Sequence, residues 1–142
     1  MKLAPDFVIQ EFVPKTVYER FRDNSIWFLD PGIIQFCQWL RDYTQAPVVV
    51  NNWHLGGTHQ ESGLRESDTN TGSKWSQHKA GRAVDVKVQG VPPEAVREII
   101  RLNFQNLNIR FGISTIEKDT PTWCHVDTRY TGLETLFEVP YK

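Results

Sequence analysis

From Arg82 to Val88 the chain alternates strictly, with Val84, Val86 and Val88 facing one way and Ala83, Asp85 and Lys87 the other. A period of two with one apolar face belongs to a strand that lies half-buried on a core. The chain must therefore supply a cover for the valine face, while the opposite face keeps an acid and a lysine. Two helices are predicted as the cover. Asp30 followed by Pro31 reads as an N-cap with proline at the first helical position, and Ile33, Ile34, Cys37, Leu40 and Arg41 recur at helical spacing up to Thr44. The run Val91-Pro92-Pro93-Glu94 opens the second, through about Asn106, with Val96, Ile99 and Ile100 along one stripe. A shorter helix over Thr16 to Asp23 follows Pro14 and places Val17 and Phe21 on one face.

More strands are expected beside the first. Val48 to Val50 reads as a buried strand by its β-branched content. Ile109 to Glu117 and Trp123 to Tyr130 read as two strands joined in a hairpin by the turn-rich Lys118 to Thr122. The order helix, helix, strand, long loop, strand, helix, hairpin implies an α+β domain, with helices packed on one face of a mainly antiparallel sheet and the other face free for a site. A length of 142 residues with 39% hydrophobic content suits a single domain over residues 1–142.

Charge and hydropathy narrow the partners. A formal net charge of -1 offers no basic field for a phosphate backbone, so no nucleic-acid partner is expected. The longest apolar runs, such as Val48 to Val50, fall far short of the roughly 20 residues of a spanning helix, and a soluble monomer without membrane insertion is expected. Cys37, on a predicted helix, and Cys124, in a predicted strand, read as buried free thiols rather than a disulfide framework. The N-terminus has one early lysine, Lys2, and the acids Asp6 and Glu11 break up the segment after it, so no secretory signal is read there. Residence in the cytoplasm is the expectation.

The stretch from Leu55 to Trp75 is rich in Gly, Ser, Thr, Asn, Asp and Glu and has no periodicity, and a loop of that length in a small domain points to function. It runs into Ser76-Gln77-His78-Lys79-Ala80-Gly81-Arg82-Ala83-Val84-Asp85. A catalytic divalent metal takes neutral imidazole and carboxylate ligands with one coordination position open. His78 lies just before the strand, Asp85 points from its polar face, Gly81 allows the turn between them, and Ala83 leaves space beside Asp85. A third ligand comes from Trp123-Cys124-His125-Val126-Asp127, where His125, Asp127 and Trp123 share one face and Cys124 and Val126 turn to the core. The expected set is His78, Asp85 and His125, with water at the open position.

Such a water needs a carboxylate to take its proton. Glu117 ends the first hairpin strand and is expected across from Trp123 on the site face, which makes it the preferred base. Asp127 is the alternative base, or a residue that orients a ligand. His54 and His59 flank Gly56 and Gly57 and are expected to line or cap the cleft. Trp53, Trp75 and Trp123 either form an aromatic wall or pack in the core.

These two segments resemble the zinc D-alanyl-D-alanine carboxypeptidases and related phage endolysins, whose pattern is S-x-H-x-x-G-x-A-x-D followed by a tryptophan or similar residue shortly before H-x-D or H-x-S. The resemblance implies a peptidase fold of the kind shared with hedgehog-type domains, one zinc ion on His78, Asp85 and His125, and cleavage of peptidoglycan stem peptides. Ser62-Gly63-Leu64-Arg65 stands where the family has S-G-x-R, which implies that Arg65 binds a substrate carboxylate or carbonyl. Ser76 and Trp123 are the other substrate-binding candidates. Many members carry an acid three residues before the last histidine, where this chain has Thr122, whereas hedgehog-type domains place a glutamate where Glu117 stands. A wall-directed peptidase without an export signal further implies a phage or prophage product that stays in the cytoplasm until released, and a zinc-containing wall-binding or virion module without catalysis is the alternative.

Overall fold

A computed structural model describes residues 1–141. The chain opens with a two-stranded ribbon, β1 (Lys2–Ala4) and β2 (Phe7–Val8), followed by α1 (Lys15–Phe21), a 3-10 stretch over Arg22–Phe28, and α2 (Pro31–Thr44). The Asp30 carboxylate accepts the Gly32 N–H at 2.9 Å, so α2 starts on the cap that the sequence indicates. Then come β3 (Val48–Val49), β4 (Ala83–Val88), α3 (Pro93–Leu102), α4 (Phe104–Phe111), β5 (Thr115–Lys118), β6 (Cys124–Asp127) and β7 (Phe137–Pro140). The last sheet has the order β3-β4-β6-β5-β7, antiparallel throughout except for the parallel pair β5 with β7. The architecture is α+β with a mainly antiparallel sheet.

Its core lies where the alternation of β4 demands. Val84, Val86 and Val88, together with Ile116, Cys124 and Val126, meet Ile33, Phe36, Cys37 and Leu40 of α2, Val96 and Ile100 of α3, and Leu107 of α4. Each such side chain, fully buried, contributes roughly 1.5–3 kcal/mol of hydrophobic stabilisation. A second cluster, Ile9, Val13, Val17 and Leu64, pins the long loop to the N-terminal elements. Cys37 and Cys124 are free and buried, and burial pushes the Cys124 thiol up to about 12.

Two expectations need correction. The second predicted helix ends at Leu102, where Asn103 leaves helical geometry with φ -109° and ψ 12° and its side-chain amide shares the Ile99 carbonyl, at 2.8 Å, with its own N–H. The predicted strand Ile109 to Glu117 begins only at Thr115, since its first residues belong to α4. The alternation of Ile109, Phe111 and Ile113 imitates a strand, yet Ile109 faces solvent, Leu107 fills the core, and Gly112 closes the helix at φ 76°. The N-terminal ribbon and β7 have no counterpart among the predicted elements.

The long loop holds no helix or strand between Gly56 and Ser76, but its main chain is tied down. Ser62 accepts the Asp85 N–H at 2.7 Å, Leu64 donates to Phe12 at 2.8 Å, and Arg65 donates to His78 at 3.1 Å. Behind it a 3-10 turn, Gln77–Ala80, carries His78 and ends at Gly81 with φ +69°. A Cβ at Gly81 would stand 1.7 Å from the Phe28 carbonyl oxygen, and the Gly81 carbonyl itself accepts the Asp30 N–H at 2.9 Å. Gly81→Ala is therefore expected to destabilise the protein by about 2 kcal/mol or more, through left-handed strain and backbone overlap. Chemical denaturation measures this, and a loss below about 0.5 kcal/mol would contradict the packing described.

Candidate metal centre

The register of β4 against β6 pairs Asp85 with His125 directly, and Ala83 with Asp127. Antiparallel partners have Cβ atoms about 5 Å apart, so one side chain from each strand meets over the sheet face. His78 enters from the 3-10 turn, whose N-terminus Ser76 caps by accepting the His78 N–H at 3.2 Å. Nε2 of His78, Oδ1 of Asp85 and Nδ1 of His125 form a triangle with edges of 3.1, 3.1 and 3.2 Å. All three residues are buried.

The protons on the two rings are placed by what lies behind them. Nδ1 of His78 faces the Gly63 carbonyl at 2.8 Å, an acceptor only, so that nitrogen carries the proton and Nε2 presents a lone pair. Nε2 of His125 faces Oδ2 of Asp127 at 2.8 Å, which leaves Nδ1 as the lone-pair nitrogen. With both rings neutral, two imidazole lone pairs and a carboxylate oxygen converge. A cation satisfies that arrangement. Zinc bonds of about 2.0–2.2 Å at tetrahedral angles separate neighbouring ligand atoms by about 3.3 Å, close to the triangle's edges.

Charge around the triangle is arranged to match. Burial works against the Asp85 carboxylate, but His78 and His125 beside it hold its carboxyl well below the ordinary range. Burial also works against a charged His125, yet its bonds to Asp127 and Asp85 outweigh that and push it up to about 9. A proton and a metal ion compete for the same Nδ1. Asp127, fully buried, is brought down to about 2 against its own desolvation by His125 and by Arg129, which grips it through Nε at 2.9 Å and a second nitrogen at 2.5 Å.

The triangle opens on a cleft of about 790 Å³. Glu117 lines it, with Oε1 3.9 Å from Nδ1 of His125. The β5–β6 register, Thr115 with Asp127 and Ile116 with Val126, continues to put Glu117 opposite His125, not opposite Trp123 as expected. Asp85, His125 and Glu117 therefore form one row across three strands. Asp127 lies behind His125 with both oxygens engaged and does not reach the cleft, a placement suited to orienting the ring. Arg65 borders the cleft but spends two groups on the protein, donating to Oδ2 of Asp85 at 3.0 Å and through Nε to the Glu61 carbonyl at 2.7 Å. Ser76, Trp123, Trp75, His59 and Thr122 also line the cleft. Trp53 and His54 do not: Trp53 donates to the Val13 carbonyl at 2.9 Å and packs between Tyr18 and His54.

Two cleft cations had no assigned role in the sequence. Arg129 follows Asp127 by two residues, so strand alternation already placed it on the site face. Lys87 shares the Asp85 face for the same reason.

The family model described as Peptidase M15 matches residues 23–127. No curated protein and no solved structure matches the chain. The matched region reaches from the 3-10 stretch ahead of α2 to Asp127 at the end of β6, about three quarters of the chain, and includes every member of the metal triangle. On that extent the chain belongs to the peptidase M15 family, a family of zinc peptidases.

Proposed function

We propose that the protein hydrolyses peptide bonds in bacterial cell-wall stem peptides, as a D-Ala-D-Ala carboxypeptidase or an L-Ala-D-Glu endopeptidase, with one zinc ion held by His78, Asp85 and His125. The observation that carries this reading is the convergence of two imidazole nitrogens and a carboxylate oxygen at the floor of a cleft that also holds an unspent carboxylate, Glu117. The cell-wall substrate rests on the likeness of the segments Ser76 to Asp85 and Trp123 to Asp127 to the D-alanyl-D-alanine carboxypeptidases and endolysins. Zinc bound there supplies Lewis acidity, which lowers the pKa of a water and polarises a carbonyl oxygen.

The chain's own residues do the rest. Glu117 accepts the proton of the attacking water and delivers it to the amide nitrogen as the C–N bond breaks. Its place in the same row as Asp85 and His125, but outside their triangle, leaves it free for both transfers. Asp127 holds the His125 ring so that Nδ1 faces inward, and Arg65 holds Asp85 through its outer oxygen. Trp123, packed edge to face on Tyr141 at 5.4 Å, forms one wall for substrate, with Ser76 and the remaining donors of Arg65 on the cleft lining.

A second reading, a zinc-containing wall-binding or virion module without catalysis, draws on Thr122, a hydroxyl where the resembled enzymes carry an acid. Elemental analysis of the purified protein is expected to find one zinc per chain, and none in His78→Ala. Glu117→Gln is expected to keep its zinc while release of amino groups from purified peptidoglycan falls by about 100- to 10,000-fold. No release by the zinc-loaded parent would favour the non-catalytic module, and full activity in the variant would remove Glu117 as base. Asp127→Asn is expected to weaken zinc binding by about 10- to 100-fold in competition with a chromogenic chelator, since the amide can no longer fix the His125 tautomer.

A further inference from the structure

Three cations line the cleft: Arg65, Lys87 and Arg129. Arg129 is committed to Asp127 through two nitrogens, and Arg65 to Asp85 and the Glu61 carbonyl. The Lys87 ammonium has neither a hydrogen bond nor an ion pair with any described residue, although its side chain is half-buried on the site face of β4. The stem is covered while the ammonium itself keeps contact with the solvent of the cleft, so the charge stays available to a ligand. The acids of the cleft do not serve it, since Asp85 faces the two histidines and Arg65, and Glu117 stands in the metal row on β5.

Its position says what would pair with it. Lys87 lies two residues beyond Asp85, about 6.7 Å along the strand. Continuing the β4–β6 register sets it level with Trp123, so Lys87 and Trp123 make the next row beside the row of Asp85, His125 and Glu117. A carboxylate on the α-carbon next to the scissile nitrogen is about 4 Å of bonded path from the reacting carbonyl carbon. That span is shorter than the step between rows, and a lysine's flexible four-carbon stem covers the difference.

We propose that Lys87 is a specificity-determining residue that pairs with a substrate carboxylate adjacent to the scissile bond. This rests on the peptidase reading above and reassigns the carboxylate contact from Arg65, which holds Asp85, to the cation left free. The ligand class is a peptide with a free carboxylate on the residue that contributes the scissile nitrogen. A D-alanyl-D-alanine terminus and an L-alanyl-γ-D-glutamyl bond both carry one.

Calorimetric titration of the zinc-loaded protein carrying Glu117→Gln, with acetyl-D-Ala-D-Ala and acetyl-L-Ala-γ-D-Glu and with the carboxamide of each at that carboxylate, tests the assignment. At least one acid is expected to bind about tenfold or more tighter than its amide. Adding Lys87→Met is expected to bring that ratio to about one, and Lys87→Arg to restore most of it. An unchanged ratio in Lys87→Met, a parent that does not discriminate, or no binding of either acid would overturn the proposal. Lys87-dependent discrimination without cleavage by the zinc-loaded protein that retains Glu117 would instead sink the hydrolytic reading while keeping Lys87 as the residue that pairs with the peptide carboxylate. Equal melting temperatures for the lysine variants exclude a folding defect as the cause.

Discussion

Three electron-pair donors within 3.2 Å of one another repel unless a positive charge lies between them, and much of the structure is arranged to hold them there. Each donor is braced from outside by a different part of the chain. His78 leans on the Gly63 carbonyl of the long loop, Asp85 on Arg65 two residues further along that loop, and His125 on Asp127 of its own strand. The braces fix ring tautomers and carboxylate orientation before any ion arrives, which lowers the ordering cost of binding one. Loop and sheet are equal halves of the centre, and this is why the loop's main chain is bonded to β4, to the His78 turn and to Phe12.

The brace behind His125 concentrates the electrostatic cost. Asp127 is fully buried, and a lone carboxylate in that place would be driven toward its neutral form. Arg129 prevents this with a side-on grip through two nitrogens, at the expense of burying part of a second charge. A buried pair of this kind contributes little net stability compared with apolar packing. Its value is geometric, because it keeps an ionised acceptor against Nε2 of His125 and so keeps Nδ1 turned toward His78 and Asp85.

How much of this is legible in the sequence depends on which periodicity each residue obeys. Asp85, His125 and Asp127 fall on one face by reading alone because strands alternate without exception over a few residues, and Pro31 and Asp30 announce α2 through chemistry local to its first turn. Glu117 is legible as a strand residue but not by its partner, since register depends on how many residues the turn consumes and only the folded turn decides that. The helix α4 is hidden because Ile109, Phe111 and Ile113 alternate by chance, and the burial of Leu107 that overrides them is a tertiary fact. Parallel β7 pairs with β5 across more than ten intervening residues and leaves no local sign. Arg65 looks like a free cation because nothing in its neighbours reveals that Asp85, twenty residues away, claims it.

The turn between Glu117 and His125 shows how the placement of an acid on the strand differs from that of one in the turn. Asp119 to Trp123 connects β5 to β6, and Thr120 within it is buried, accepts a bond from Arg97 of α3 at 2.7 Å and donates to the Trp123 carbonyl. Arg97 is itself buried and bonded to Glu94 at 2.6 Å, so the turn is fastened from the helical layer beneath the sheet. An acid at Thr122 would sit on the exposed crest of that turn, whereas Glu117 stands on a strand flanked by both β6 and β7. A carboxylate on a doubly paired strand keeps its distance from Asp85 and His125 with less dependence on loop motion. The row of Asp85, His125 and Glu117 thus draws its precision from the sheet's own hydrogen bonds, and the helices matter to the chemistry chiefly by holding that sheet and its turn in place.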